Sequence, residues 1–335
     1  MLTYPLRRLA ISIPTLLFIS LAIFFLLNLA PNDPMAQVPL TVPPEVKEKM
    51  REALGYGQPL LVQYWKWLVQ FFWIEPQVWI DATFGTSLSE GKQRIISWQT
   101  RSPVMDIVAQ RLPQTLWVVG MSYVVGILIA LPIGIYSAYR QYSVFDQVGT
   151  FVAMVGYSVP PFFSGVFAIV IFSISLGWFP SIYDTTHQVV DWDSFVFQLR
   201  QMIMPVMVLA LQTTAQLSRF MRSSMLDNLN QDYVRTARAK GASEWSVVMI
   251  HVLRNSMIPV VTVIALGIPS IFGGAIITEQ VFKVNGIGQQ LIGALYANDL
   301  PTVQTLTFMF AFLIVMFNLI ADILYGLLDP RIRYD

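Results

Sequence analysis

Cysteine is absent from the 335 residues, so disulfides, thiolate metal sites and cysteine nucleophiles are excluded together. Charge is scarce too: 12% of residues are Asp, Glu, Lys or Arg, against roughly 25% in a soluble chain, while 55% are hydrophobic. That balance describes an integral membrane protein. The net charge of +1 offers nothing to a polyanion, so nucleic acid is no partner. The two histidines, His187 and His251, lie far apart and match no metal-ligand spacing. There is no G-x-x-x-x-G-K-[ST] phosphate loop, so any nucleotide hydrolysis linked to this chain belongs to another polypeptide. H-E-x-x-H, a serine paired with histidine and paired intramembrane aspartates are also missing, which leaves no equipment for an intramembrane protease.

Six stretches carry no Asp, Glu, Lys or Arg: Leu9 to Asn32, Leu112 to Tyr139, Gln147 to Tyr183, Gln201 to Ser218, Asn255 to Thr278, and Leu300 to Ala321. About 20 such residues span a bilayer, so six transmembrane helices are expected. The third stretch is too long for one straight span and too short for two with a turn, and Ser158, Val159, Pro160, Pro161 supply a break. The first stretch follows Arg7 and Arg8 but exceeds a signal-peptide core and has no A-x-A site, so it is expected to remain as a helix. With the N-terminus inside, eleven basic residues fall on the cytoplasmic side and only Arg200 and Lys283 in the two short outer loops. Both termini are therefore expected in the cytoplasm.

Residues 33–111 form a long outer segment. Within it Leu61, Tyr64, Trp65, Leu68 and Phe71 recur at helical spacing, with Lys66 and Gln70 elsewhere on the wheel, which predicts an amphipathic helix on the outer membrane surface. Trp67, Trp73 and Trp79 fit an interfacial aromatic belt, and either lipid anchoring or a partner's docking surface accounts for them. In the second span Ala130, Gly134 and Ala138 recur every fourth residue, a spacing that lets helices approach closely.

The basic island Arg235, Thr236, Ala237, Arg238, Ala239, Lys240, Gly241 sits between two apolar runs. Residues 227–246 predict two short helices: Asp232 or the residue before it caps the first, Thr236, Ala237 and Ala239 give it a small-residue surface, Gly241 breaks it, and Ser243 and Glu244 restart the chain. Such a surface fits a groove in another protein. A solvated basic loop obeying the positive-inside rule accounts for the island equally on residues alone.

From Tyr233 to Pro259 the chain reads YVRTARAKGASEWSVVMIHVLRNSMIP, which resembles the cytoplasmic coupling segment of permease subunits from binding-protein-dependent ABC importers, in the oligopeptide/dipeptide form. The resemblance extends through Arg7, Arg8, Leu9; Ala30, Pro31, Asn32, Asp33, Pro34; Arg111, Leu112, Pro113; Thr278, Glu279, Val281, Phe282 with Gly286, Ile287, Gly288; and Asp329, Pro330, Arg331. Arg235 stands where the general importer pattern has glutamate, the downstream proline arrives only at Pro259, and Asn285 replaces a proline before Gly286. The resemblance implies an all-α type I importer permease fold, organised as residues 1–32, an outer segment 33–111, and a five-helix core 112–335 containing the coupling segment 227–256. It implies a bacterial inner-membrane subunit forming half of a translocation pathway, with a second permease, two ATPase subunits and an external binding protein as partners. ATP and Mg then belong to the ATPases and no cofactor to this chain. Arg235 through Gly241 with Ala242, Ser243 and Glu244 would contact the ATPase. Peptides are the expected cargo, with nickel chelates, glutathione or oligosaccharides as alternatives.

Candidate path residues follow from polarity inside the spans. Gln212 and Gln216 lie one turn apart with Thr213 and Thr214 between them, and either line a path or bond between helices. Gly267, Pro269, Gly273 and Gly274 make the fifth span bendable. Asp322 is expected to pair near the cytoplasmic surface, with Arg331 or Arg333. A stand-alone secondary transporter is the rival from another class, but it would show several intramembrane carboxylates or an inverted repeat.

Overall fold

The computed structural model describes residues 3–29, 43–53, 57–272 and 275–328, with side chains placed from Arg7 to Ile320 except at 30–42, 49–56, 273 and 274. Gly273, Gly274, Arg331 and Arg333, and the side chain of Asp322, lie outside the described residues. The regular structure of the described residues is helical apart from one isolated bridge, Ile96 with Pro103. The helices are α1 (Thr3–Leu29), α2 (Pro44–Ala53), α3 (Leu60–Val69), α4 (Glu75–Phe84), α5 (Val104–Thr115), α6 (Met121–Tyr139), α7 (Val144–Ser158) and α8 (Pro161–Ala168). There follow α9 (Trp192–Leu229), α10 (Asp232–Ala239), α11 (Glu244–Ser246), α12 (Leu253–Phe272), α13 (Ile276–Phe282), α14 (Ile287–Tyr296) and α15 (Leu300–Leu328). Three π-helical stretches among the described residues join neighbouring helices without breaking them, as at Leu116–Gly120 and Val247–Val252, and a fourth, Ile169–Ser175, extends α8.

Among the described residues five helices are long and apolar enough to cross a membrane: Arg7–Leu29, Val104–Tyr139, Trp192–Leu229, Glu244–Phe272 and Leu300–Ile320. A sixth crossing arises if Val144–Ser158 and Pro161–Ser175 make one span, and these are bent by 102° at the paired prolines. The bend follows from chemistry, since Pro160 and Pro161 both lack a backbone donor. Three runs extend further than their apolar cores, the second span beginning at Val104 rather than Leu112. The fourth span begins at Trp192, where Asp191 and Ser194 form a reciprocal capping box, and continues eleven residues past Ser218. The fifth begins at Glu244, so the second short helix expected beside the island is the first turn of a span.

The chain divides into two compact units, residues 1–5, 113–289 and 316–335, and residues 6–112 and 290–315. In the first, α6 lies against α9 along its small residues. A Cβ added at Gly134 would come within 2.6 Å of the Ser218 carbonyl and 2.7 Å of Met221 Cβ, so only glycine permits that approach. The Ala130, Gly134, Ala138 stripe is thus used in packing within this chain. Below it, Met221, Met225, Val234, Val247, Val248 and Val252 close a core that the island shares.

The second unit contains the helix expected around Leu61 to Phe71, continuous from α3 through a π stretch into α4. Its buried side holds Trp67, Leu68 and Ile74, and Trp67 meets Phe308 edge to face at 5.2 Å. Trp67 is therefore a core residue and not part of a belt; of the expected apolar face Leu68 is buried and Tyr64 and Phe71 are half-buried, while Leu61 and Trp65 are exposed. Trp73 and Trp79 are exposed as a belt requires. Buried Glu75 is paired with Arg94 at 2.8 Å, and Arg94 also holds Asp106 at 2.8 Å. Buried Asp299 accepts from Ser97 Oγ, the Trp98 amide and Thr302 Oγ1.

Candidate functional site

The island is built as a rigid knob. Leaving α9 at Asn230, the chain enters α10 through Gln231, which stands in the N-cap position with no side-chain cap, while Asp232 is the first helical residue. Val234 and Ala237, three apart, turn inward onto Val247, Val248 and Val252 and anchor the helix. Ala237 is thus part of the anchor, and the small-residue surface is left to Thr236 and Ala239. Arg235, Thr236, Arg238, Ala239, Lys240, Gly241, Ser243 and Glu244 are exposed, with Ala242 half-buried and Trp245 projecting at 74% exposure.

Gly241 makes the turn possible. Its φ of +78° lies in the left-handed region, and its amide donates to the Arg238 carbonyl at 2.9 Å while the Ala242 amide reaches the Ala237 carbonyl at 3.2 Å. Ser243 then caps the next helix by accepting from the Ser246 amide. Arg238 clamps the turn from outside through two bonds to the Glu244 carboxylate, 2.9 and 3.2 Å. Behind the knob the last turns of α9 are fixed to α7 by Arg222, whose Nε and Nη2 donate to Asp146 at 2.6 and 2.8 Å.

The same unit holds a cavity of about 790 Å³ between the second, third, fourth and fifth spans. Gln212, Thr213 and Gln216 line it from α9, joined by Ser122, Tyr123 and Tyr157. Neither glutamine amide bonds to another described residue, whereas Thr214 turns away and donates to the Gly126 carbonyl at 3.2 Å. None of its described lining residues is charged. Gly267, picked out for bendability, has a different use: a Cβ there would fall 2.1 Å from the Tyr123 hydroxyl, which donates to the Ile264 carbonyl at 2.6 Å.

Tyr123 and Tyr157 are cavity residues that sequence reasoning missed. A tyrosine within an apolar stretch that holds others too is the only signal either one gives.

Glu279 closes the loop after α12 in this unit. Its carboxylate is fully buried, accepting from Thr115 Oγ1 at 3.0 Å and the Gln289 amide at 2.8 Å, while Thr115 Oγ1 accepts from the Ile287 amide. A Cβ at Gly286 would lie 2.4 Å from Glu279 Oε1, which explains the glycine in that run. Burial pushes the Glu279 carboxyl above the usual carboxylate range despite these bonds. Among the described residues no cluster of His, Asp and Glu could hold a metal.

Two family models match the chain. "Binding-protein-dependent transport system inner membrane component" covers residues 130–334, and "Binding-prot-dependent transport system membrane comp, N-term" covers 1–119. Among curated proteins the chain is 37% identical to the oligopeptide transport system permease protein AppB of Bacillus subtilis, over all of both chains. It is 36% identical to a putative peptide transport system permease protein of Brucella abortus, over 98% of each. Identity is 35% to the glutathione transport system permease protein GsiC of Salmonella choleraesuis, again over all of both chains.

Proposed function

Because this chain belongs to the family of binding-protein-dependent transport system inner membrane components, we propose that it carries di- or oligopeptides through the membrane as half of an ATP-driven importer. The chain is a permease component and has no hydrolytic role of its own. Two peptide-system permeases and a glutathione-system permease among its full-length relatives support peptidic cargo, glutathione being itself a tripeptide. The single observation that carries the reading is the pairing, in one compact unit, of a neutral polar cavity with an exposed basic knob locked to the same helix α9.

In this reading Arg235 to Glu244 dock in a groove of an ATPase subunit, which binds ATP and Mg. Closure of the paired ATPases pulls on α10, and Val234 and Ala237 pass the displacement into α9 and the fifth span. Gln212, Thr213 and Gln216 meet the peptide amides in the cavity, where unpaired side-chain amides replace lost water bonds. Both termini and the knob lie in the cytoplasm, the outer segment 33–111 faces the binding protein, and a companion permease completes the pathway. The test is uptake of labelled tripeptide into proteoliposomes. The four-part complex with its binding protein should accumulate it only with ATP on the ATPase side, and this chain alone should not. Uptake by this chain alone would move it to the secondary transporters.

A further inference from the structure

We propose that Arg219 forms a carboxylate-binding site at the knob end of the cavity, taking the terminal carboxylate of a passing peptide. The inference rests on the importer reading above and adds a charged station beside a cavity whose own lining is neutral.

Gln212, Gln216 and Arg219 follow one another at four and three residues along α9, so they share a face. The exposed Arg219 side chain folds back along its own helix. Its Nε donates to the Ala215 carbonyl one turn back at 3.3 Å, and its guanidinium carbon lies 5.2 Å from the centroid of Tyr157, whose ring lines the cavity. Side chains on a helix lean toward its N-terminus, so this fold-back aims the charge along the cavity face. Stacking on a ring occupies the guanidinium face and leaves its edge donors for a planar acceptor.

That edge is unoccupied among the described residues. Arg222 is paired with Asp146, Arg235 with Asp232 and Arg238 with Glu244, but Arg219 has no described carboxylate and its terminal nitrogens have no described partner. A guanidinium held against an aromatic with two parallel donors free matches a carboxylate in bidentate geometry. Two neutral amides leading to one fixed cation give a peptide a track with a direction, amide groups first and carboxylate last.

The test uses the absence of cysteine in this chain. In the assembled complex carrying Gln216→Cys, the labelling rates of an anionic sulfonatoethyl and a cationic trimethylammonioethyl methanethiosulfonate are compared. The anionic reagent should react faster, Arg219→Gln should lower the ratio about tenfold because the local field that concentrates anions is gone, and Arg219→Lys should retain most of it. Tri-alanine should slow the anionic reagent while tri-alanine amide does not, and Arg219→Gln should abolish that protection. A ratio unchanged in Arg219→Gln, equal protection by acid and amide, or a thiol that neither reagent reaches would overturn the site. An effect confined to vesicles containing anionic lipid would make the ligand a headgroup phosphate, and would also overturn it. Loss of ATP-driven uptake in wild type with this labelling pattern intact would sink the importer reading and leave the anion site standing.

Discussion

Replacing Gly241 separates the backbone conformation of the knob from everything else about it. The Cβ position at Gly241 is empty space, with nothing within 4 Å, so a side chain adds no collision. What it adds is strain at φ +78°, roughly 1–2 kcal/mol for an ordinary L-residue, more for a β-branched one and least for asparagine. The alternative is to open the turn. That gives up the Gly241 and Ala242 backbone bonds, about 0.5–1.5 kcal/mol each, and the exposed Arg238 and Glu244 pair, worth about 1 kcal/mol at most. The two routes cost similar amounts, so Gly241→Ala should populate both and Gly241→Val should mostly open the turn. A shift of about 1.4 kcal/mol is a tenfold change in the docked population. In proteoliposomes of the assembled complex, ATP-driven uptake should therefore rank Gly above Asn, Asn above Ala and Ala above Val, with Val down about tenfold or more and membrane insertion unchanged. Equal uptake by the Asn and Val variants would refute the argument, since these differ mainly in tolerance of positive φ.

Arg222→Met leaves the buried Asp146 carboxylate with the Tyr142 amide as its remaining strong partner, and should lower stability by about 3 kcal/mol, read as a fall in the melting temperature of the purified complex. Adding Asp146→Asn should recover most of the loss; equal melting of single and double variants would exclude the pair as the cause. Glu279 has its carboxyl raised above its ordinary value of 4.5, so its contribution is full below that pH and is lost as pH rises through the folded value. Wild type should accordingly lose stability relative to Glu279→Gln as pH climbs out of the acid range, and parallel melting curves against pH would contradict the burial argument.

The spans were legible because a bilayer demands long uncharged runs, and the bend at Pro160 and Pro161 because those residues lack donors. Their ends were not. Helices at an interface continue into polar sequence, as α9 does from Trp192 to Leu229, wherever a cap or ion pair meets the polar groups. The knob's turn was readable from Gly241 and Ser243, residues chosen for backbone reasons, but its inward face was not, since nothing local distinguishes Ala237 from Ala239 until Val247 and Val252 pack on one of them. Gln212, Thr213 and Gln216 were visible as polar letters in an apolar run. Tyr123 and Tyr157 were not, because their relevance comes from helices distant in sequence, as does the fold-back of Arg219 onto Tyr157.

The central claim is that the knob delivers an ATPase's motion to the cavity, and a crosslink tests it most directly. Ala239 is exposed on α10 and the chain has no other cysteine to confuse the result, so Ala239→Cys in native membranes should crosslink to an ATPase subunit. The yield should change when ATP is bound and held unhydrolysed. Crosslinking to no ATPase, or a yield indifferent to nucleotide while uptake proceeds, would contradict the account.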